Sequence, residues 1–187
     1  MRSVILDGSR ETGTGLDLVH DVLVEILEGD GWQVDTFLMR GMDLTNCHGC
    51  SGCSAQNPAA CNAGGDAYEE TAALVLESDL LVFLTPVTFG GYTLEFKHAL
   101  ARLIPHVLGA APDMDGPYLD ARYPALLGIG TLQDPVEDSI RFFESLVARH
   151  AVLLLSSAHA AGVIVGDPDM AQVRREITAL LDTVGVR

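Results

Sequence analysis

Residues 2–27, RSVILDGSRETGTGLDLVHDVLVEIL, carry the first decision about the fold. Arg2–Asp7 is a short apolar run closed by Gly8-Ser9, which reads as a buried strand. Leu16, Val19, Val22, Leu23, Ile26 and Leu27 then recur at three- and four-residue spacings, one face of an amphipathic helix that ends at Gly29-Asp30-Gly31. Between strand and helix lies Gly8-Ser9-Arg10-Glu11-Thr12-Gly13-Thr14-Gly15. Free backbone N–H groups and the positive end of the helix dipole favour an anion in such a loop. Ser9, Thr12 and Thr14 add hydroxyl donors, Gly8, Gly13 and Gly15 permit close backbone approach, and Arg10 adds a charge. A plain helix cap with turning glycines uses the same residue types. The loop lacks both the Gly-Lys-Ser/Thr ending of a nucleoside triphosphate loop and a Gly-x-Gly-x-x-Gly opening.

Outward from this unit, apolar runs and helix-period segments keep alternating. Trp32–Leu38 predicts a second strand, followed by a polar stretch rich in Cys and Gly over 40–65. Asp66 with Glu69 forms a capping-box pattern that opens a helix to about Glu77. Asp79–Thr85 reads as a strand buried on both faces, of the kind a parallel sheet uses. A helix is expected over about 91–108, a loop over 109–122 and a fourth strand over Tyr123–Gly130. Asp134 as N-cap, Pro135 at the first helical position and Glu137 as capping partner predict the next helix start. Val152–Leu155 or Gly162–Val165 supplies the fifth strand, and Asp167-Pro168 opens the last helix.

Five strands alternating with five helices imply an α/β fold, a three-layer doubly wound parallel sheet. At this length the flavodoxin-like arrangement, strand order 2-1-3-4-5, leads, with half of a Rossmann fold as the alternative. The chain is expected to be one domain over 1–187 with a Cys-rich insertion at about 40–65. Ligands of such sheets bind at the carboxyl ends of the strands, beside the switch point between strands 1 and 3.

Composition excludes some partners. The 187 residues hold 11 Lys plus Arg against 26 Asp plus Glu, a formal charge of −15, so nucleic acid and anionic membranes would be repelled. No apolar run approaches the ~18 residues of a membrane span, and the N-terminus shows no secretory pattern, so a cytoplasmic location is expected.

The third strand ends in Thr85-Pro86-Val87-Thr88-Phe89-Gly90-Gly91-Tyr92, opposite the first loop across the switch point. Gly90 and Gly91 permit unusual backbone angles, and Phe89 or Tyr92 could line a planar ligand or tuck into the core. Together the two loops resemble the flavodoxin-like NAD(P)H-dependent FMN reductase superfamily. The resemblance implies that Ser9, Arg10, Thr12, Gly13, Thr14 and Gly15 hold the FMN phosphate. It implies that Pro86, Val87, Thr88, Phe89 and Gly90 hold the ring, with Gly130 and Thr131 a third contact. Thr88 stands where these proteins commonly carry an aromatic, which weakens stacking there or transfers it to Phe89.

All four cysteines fall in Cys47-His-Gly-Cys50-Ser-Gly-Cys53 and Cys61. In a reducing compartment disulfides are disfavoured, and three thiolates in one C-x2-C-x2-C run suit an iron–sulfur cubane better than zinc, which favours two separated knuckles. The run is similar to that of the iron-sulfur flavoprotein subgroup, which would make Cys47, Cys50, Cys53 and Cys61 ligands of a [4Fe-4S] cluster. Free thiols in an interface loop remain the alternative. No paired carboxylates or nucleophile elbow are visible, so the chemistry is expected to reside in the flavin and not in a catalytic side chain. The resemblance implies electron transfer from NAD(P)H, as co-substrate, to a quinone, flavin or similar acceptor. The alternative is an electron carrier with a ferredoxin-like donor. A homodimer or homotetramer is also implied, with the 109–122 loop reaching a neighbour's pocket.

Overall fold

The computed structural model describes residues 1–10, 15–42, 68–110 and 123–186. Five strands form one parallel sheet in the order β2-β1-β3-β4-β5. They are β1 (Arg2–Asp7), β2 (Gln33–Leu38), β3 (Leu80–Pro86), β4 (Ala125–Leu132) and β5 (His159–Val165). The helices are α1 (Gly15–Gly29), α2 (Tyr68–Glu77), α3 (Leu94–Ala110), α4 (Glu137–Leu153) and α5 (Met170–Thr183), with a single 3₁₀ turn at Met39–Gly41. The predicted strand order and layering are observed.

Side-chain alternation along the strands builds the layers. Val4, Leu6, Leu81, Phe83 and Leu126 face one side and pack on α2, α3 and α4. Ile5, Leu80, Val82, Leu84, Leu127 and Ile129 face the other and pack on α1 and α5. The three central strands are therefore apolar on both faces, which is why β1 and β3 read as continuous apolar runs. Gly128 brings α4 close: a Cβ there would lie 2.5 Å from Val147 Cγ2.

Several boundaries differ from expectation. The helix α4 begins after Val136, with no side-chain cap, and not at an Asp134 cap. Pro135 disfavours helical geometry at Asp134, and Val136 keeps an extended backbone as the N-cap, its carbonyl accepting the Ile140 N–H. At α5 the cap is Asp169, whose Oδ1 accepts the Gln172 N–H at 2.7 Å, while Asp167 Oδ2 accepts from Gln133 Nε2 at 3.4 Å at the sheet edge. Val152–Leu155 belongs to the end of α4 and the following turn, so the fifth strand is the segment containing Gly162–Val165. Asp66 lies outside the described residues.

Beneath the sheet edge sits an aromatic cluster of Phe83, Tyr92, Phe96 and Phe143, in which most pairs meet edge to face. The Tyr92 hydroxyl lies 3.0 Å from His150 Nδ1. Burial pushes the His150 pKa below its ordinary 6.5, opposed by the Leu146 carbonyl and reinforced by Arg149. A histidine depressed in the folded state stabilises the fold fully above pH 6.5, and that contribution is lost as pH falls toward the lowered value. Denaturant titrations at pH 8 and pH 5 should therefore show a loss in the wild type that is smaller in His150→Gln; equal losses would refute the assignment.

Candidate functional site

All five parallel strands end on the same edge, and an open crevice of about 820 Å³ runs along it. Every strand end contributes to its lining. Arg10, Gly15, Leu16 and Val19 follow β1, Arg40 follows β2, and Pro86 and Val87 close β3, with Glu95 from the first turn of α3. Thr131, Leu132 and Gln133 come from β4, and Ile164 and Gly166–Pro168 from β5.

The β1 loop is held by a packing constraint. A Cβ on Gly8 would meet Phe96 Cδ2 at 2.8 Å and Thr85 Oγ1 at 2.9 Å, so only glycine lets the chain leave β1 this close to β3. The Gly8 N–H donates to the Leu84 carbonyl at 2.7 Å, and Thr93 Oγ1 donates to the Gly8 carbonyl at 3.2 Å. The carboxylate of Asp7, itself buried, accepts the Ser9 N–H at 2.7 Å. The side chain of Ser9 is thereby turned toward β2, where its Oγ accepts from Arg40 Nη1 at 3.1 Å.

The β3 loop is equally specific. Val87 N–H donates to the Thr131 carbonyl at 2.9 Å, tying the β3 and β4 ends together. Thr88 and Gly91 then exchange two backbone hydrogen bonds around Phe89 and Gly90, whose φ values are 49° and 73°. Two central residues at positive φ give the form of a type I′ turn, which favours Asn-Gly and disfavours a bulky first residue. Phe89 nevertheless occupies that position and is fully exposed, at 102%. Tyr92, the other aromatic read as a ring contact, is buried in the core cluster.

Of the residues expected to bind a cofactor, Arg10, Gly15, Pro86, Val87 and Thr131 line the crevice together. Ser9 is buried and adjoins it through Arg40. Thr88, Phe89 and Gly90 form the turn beyond Val87, outside the lining, and Gly130 is buried one residue before Thr131, where its Cβ position faces Val87 and Phe143. Thr12, Gly13 and Thr14 lie outside the described residues, as do Cys47, Cys50, Cys53 and Cys61.

Sequence reading missed Arg40, Glu95, Gln133 and Asp167. Each follows or faces a strand end, and that position was the signal available for Arg40, Gln133 and Asp167. Glu95 is the informative omission, since its Oε2 is buried without a hydrogen-bond donor. A carboxylate oxygen in that state on a crevice wall is open to a donor from a ligand.

A crevice at the carboxyl edge of a parallel sheet ordered β2-β1-β3-β4-β5, with Arg10 and Arg40 at the β1 and β2 ends and a Pro-Val wall after β3, defines a flavodoxin-like domain. Residues 1–163 match the sequence pattern of the NADPH-dependent FMN reductases, and the chain belongs to that family: it is an NAD(P)H-dependent FMN oxidoreductase. A curated relative, the iron-sulfur flavoprotein of Archaeoglobus fulgidus, is 25% identical over 169 residues, covering 89% of this chain and 72% of the relative. Among solved structures, the NAD(P)H:quinone oxidoreductase of Methanothermobacter marburgensis superposes with a TM-score of 0.70 at 13% identity, covering 96% of each chain. An NADH:FMN oxidoreductase in its apo form gives 0.61 at 15% identity, covering 99% of this chain and 87% of the other. At these identities the structural likeness speaks for the fold.

The strained aromatic yields a direct test. Phe89→Asn, which restores Asn-Gly to the turn, should stabilise the flavin-free protein by about 0.5–1 kcal/mol in a urea titration. If the strain is retained because the Phe89 ring meets the flavin, the variant's affinity for FMN should fall as well. Unchanged stability together with unchanged flavin affinity would contradict this reading.

Proposed function

We propose that the protein, as one unit over residues 1–187, holds FMN along the sheet edge. The phosphate sits at the β1 loop and the ring against Pro86–Gly90 and Thr131, and electrons pass from a reduced nicotinamide to a quinone, flavin or similar small acceptor. The observation that carries this reading is the joint lining of one crevice by Arg10, Arg40, Pro86, Val87 and Thr131. The residues suit the cofactor: cationic side chains for a phosphate, an unpartnered Glu95 oxygen for a hydroxyl or N–H donor, and an apolar Pro86-Val87 wall for a flat ring. When bound, such a cofactor supplies hydride acceptance and onward electron delivery.

The chain's own groups bind and orient. Asp7 fixes the Ser9 N–H, and the Gly8–Leu84 bond holds the loop at its distance from β3. The Val87–Thr131 bond keeps the β3 and β4 loops from separating, so the wall behind the ring stays closed. The turn at Thr88–Gly91 presents Phe89 to solvent, where an aromatic donor or acceptor can stack. Oligomeric assembly would add a neighbour's surface to this open side.

Adding NADPH or NADH anaerobically to FMN-loaded protein should bleach the flavin absorbance within a normal turnover time. A spectrum that stays oxidised after long incubation would refute the assignment.

A second reading is favoured by the C-x2-C-x2-C-x7-C spacing and by the iron-sulfur flavoprotein relative. In it Cys47, Cys50, Cys53 and Cys61 hold a [4Fe-4S] cluster, and single electrons arrive from a ferredoxin-like donor. Protein purified without oxygen should then contain iron and labile sulfide, with both lost in Cys50→Ala. Iron-free wild-type protein would remove this reading and leave the four cysteines as thiols.

A further inference from the structure

The crevice is unusual for so acidic a chain. Among its lining residues two cationic side chains, Arg10 and Arg40, meet two carboxylates, Glu95 and Asp167. The whole protein carries a formal charge of −15. A dianionic phosphate therefore approaches through an opposing field, and the charges that line the crevice among the described residues balance only while both arginines are present. Removing either leaves the lining negative. Charge alone does not distinguish the two arginines, but geometry does. Arg40 emerges from the 3₁₀ turn after β2, on the far side of β1, and its Nη1 donates to Ser9 Oγ at 3.1 Å. That one bond spends a single donor of a five-donor guanidinium and sets the remaining fork beside the β1 loop.

We infer that Arg40 is a phosphate-binding residue, held by Ser9 so that its fork grips a phosphomonoester from the β2 side of the β1 loop. The inference rests on the flavin reading given above and extends it to a residue that the β1 loop does not contain. Two phosphomonoesters could reach this place, the 5′-phosphate of FMN and the 2′-phosphate of NADPH. The bond to Ser9, buried and fixed by the Asp7 carboxylate, favours FMN, because it ties the guanidinium to the strand end that the cofactor's tail occupies. Arg40 thereby makes the site prefer FMN to riboflavin, which offers the same ring and polyol without the charge.

The test compares wild type, Arg40→Gln and Arg40→Lys, each stripped of flavin and titrated with FMN and with riboflavin by fluorescence quenching. Arg40→Gln should weaken FMN binding about ten- to hundredfold, the span of a lost charge-assisted hydrogen bond. Riboflavin affinity should stay within about twofold, and Arg40→Lys should recover part of the FMN affinity because it keeps the charge without the fork. Equal weakening of both flavins would assign Arg40 a merely structural role and overturn the inference. So would unchanged FMN affinity. A second arm measures KM for NADPH and NADH with FMN saturating: the ratio should not move in Arg40→Gln. Collapse of that ratio with FMN affinity intact would hand Arg40 to the dinucleotide and defeat the FMN assignment. Wild-type protein that takes up no flavin at all would instead bring down the functional reading itself.

Discussion

Where β1 leaves the sheet, the backbone at Gly8 passes so near Phe96 and Thr85 that no side chain fits. This close approach governs the rest of the site. It lets the Gly8 N–H complete the ladder to Leu84 and brings Thr93 onto the Gly8 carbonyl. It also delivers Ser9 to a place where the Asp7 carboxylate and the Arg40 guanidinium both engage it. A longer route out of the strand would satisfy the same polar groups with water, at the cost of the fixed Asp7–Ser9–Arg40 arrangement.

The second constraint is the parallel sheet itself. Because every crossover returns the chain to the same starting edge, all five strand ends project loops onto one side, and the crevice gathers side chains from segments far apart in the chain. Stability and function are separated accordingly. The apolar faces of β1, β3 and β4 pack against helices, while the polar side chains that line the crevice sit within a few residues of the strand ends, Glu95 on α3 excepted. Phe89 illustrates what that separation permits. A positive φ on an exposed aromatic is tolerated because the turn is closed by two backbone bonds and anchored by a buried core behind it.

Much of this was legible beforehand. Arg2–Asp7 and Leu80–Pro86 are apolar runs too short for helices, and the 3.6-residue period of Leu16–Leu27 leaves no doubt about α1. Helix starts were less legible: Asp134 and Asp167 each precede a proline and look like caps, yet the helices begin two or more residues later. The proline holds the preceding residue out of helical geometry, and Asp167 is drawn to the crevice. Arg40 was overlooked because it opens a stretch dominated by cysteines, and Glu95 because an acidic residue in a helix's first turn ordinarily serves the dipole.

By itself the sequence determined the strand and helix order, the winding that follows from it, and the two loops at the switch point, since hydrophobic period and glycine placement are local properties. Which polar side chains share the crevice was decided by tertiary structure alone. Arg40 and Ser9 are 31 residues apart, and Phe89 and Tyr92 differ in fate although both are aromatic and nearly adjacent. Neither outcome is a property of a segment: the first depends on β2 lying beside β1, and the second on which ring the close packing of α3 and α4 leaves room to bury.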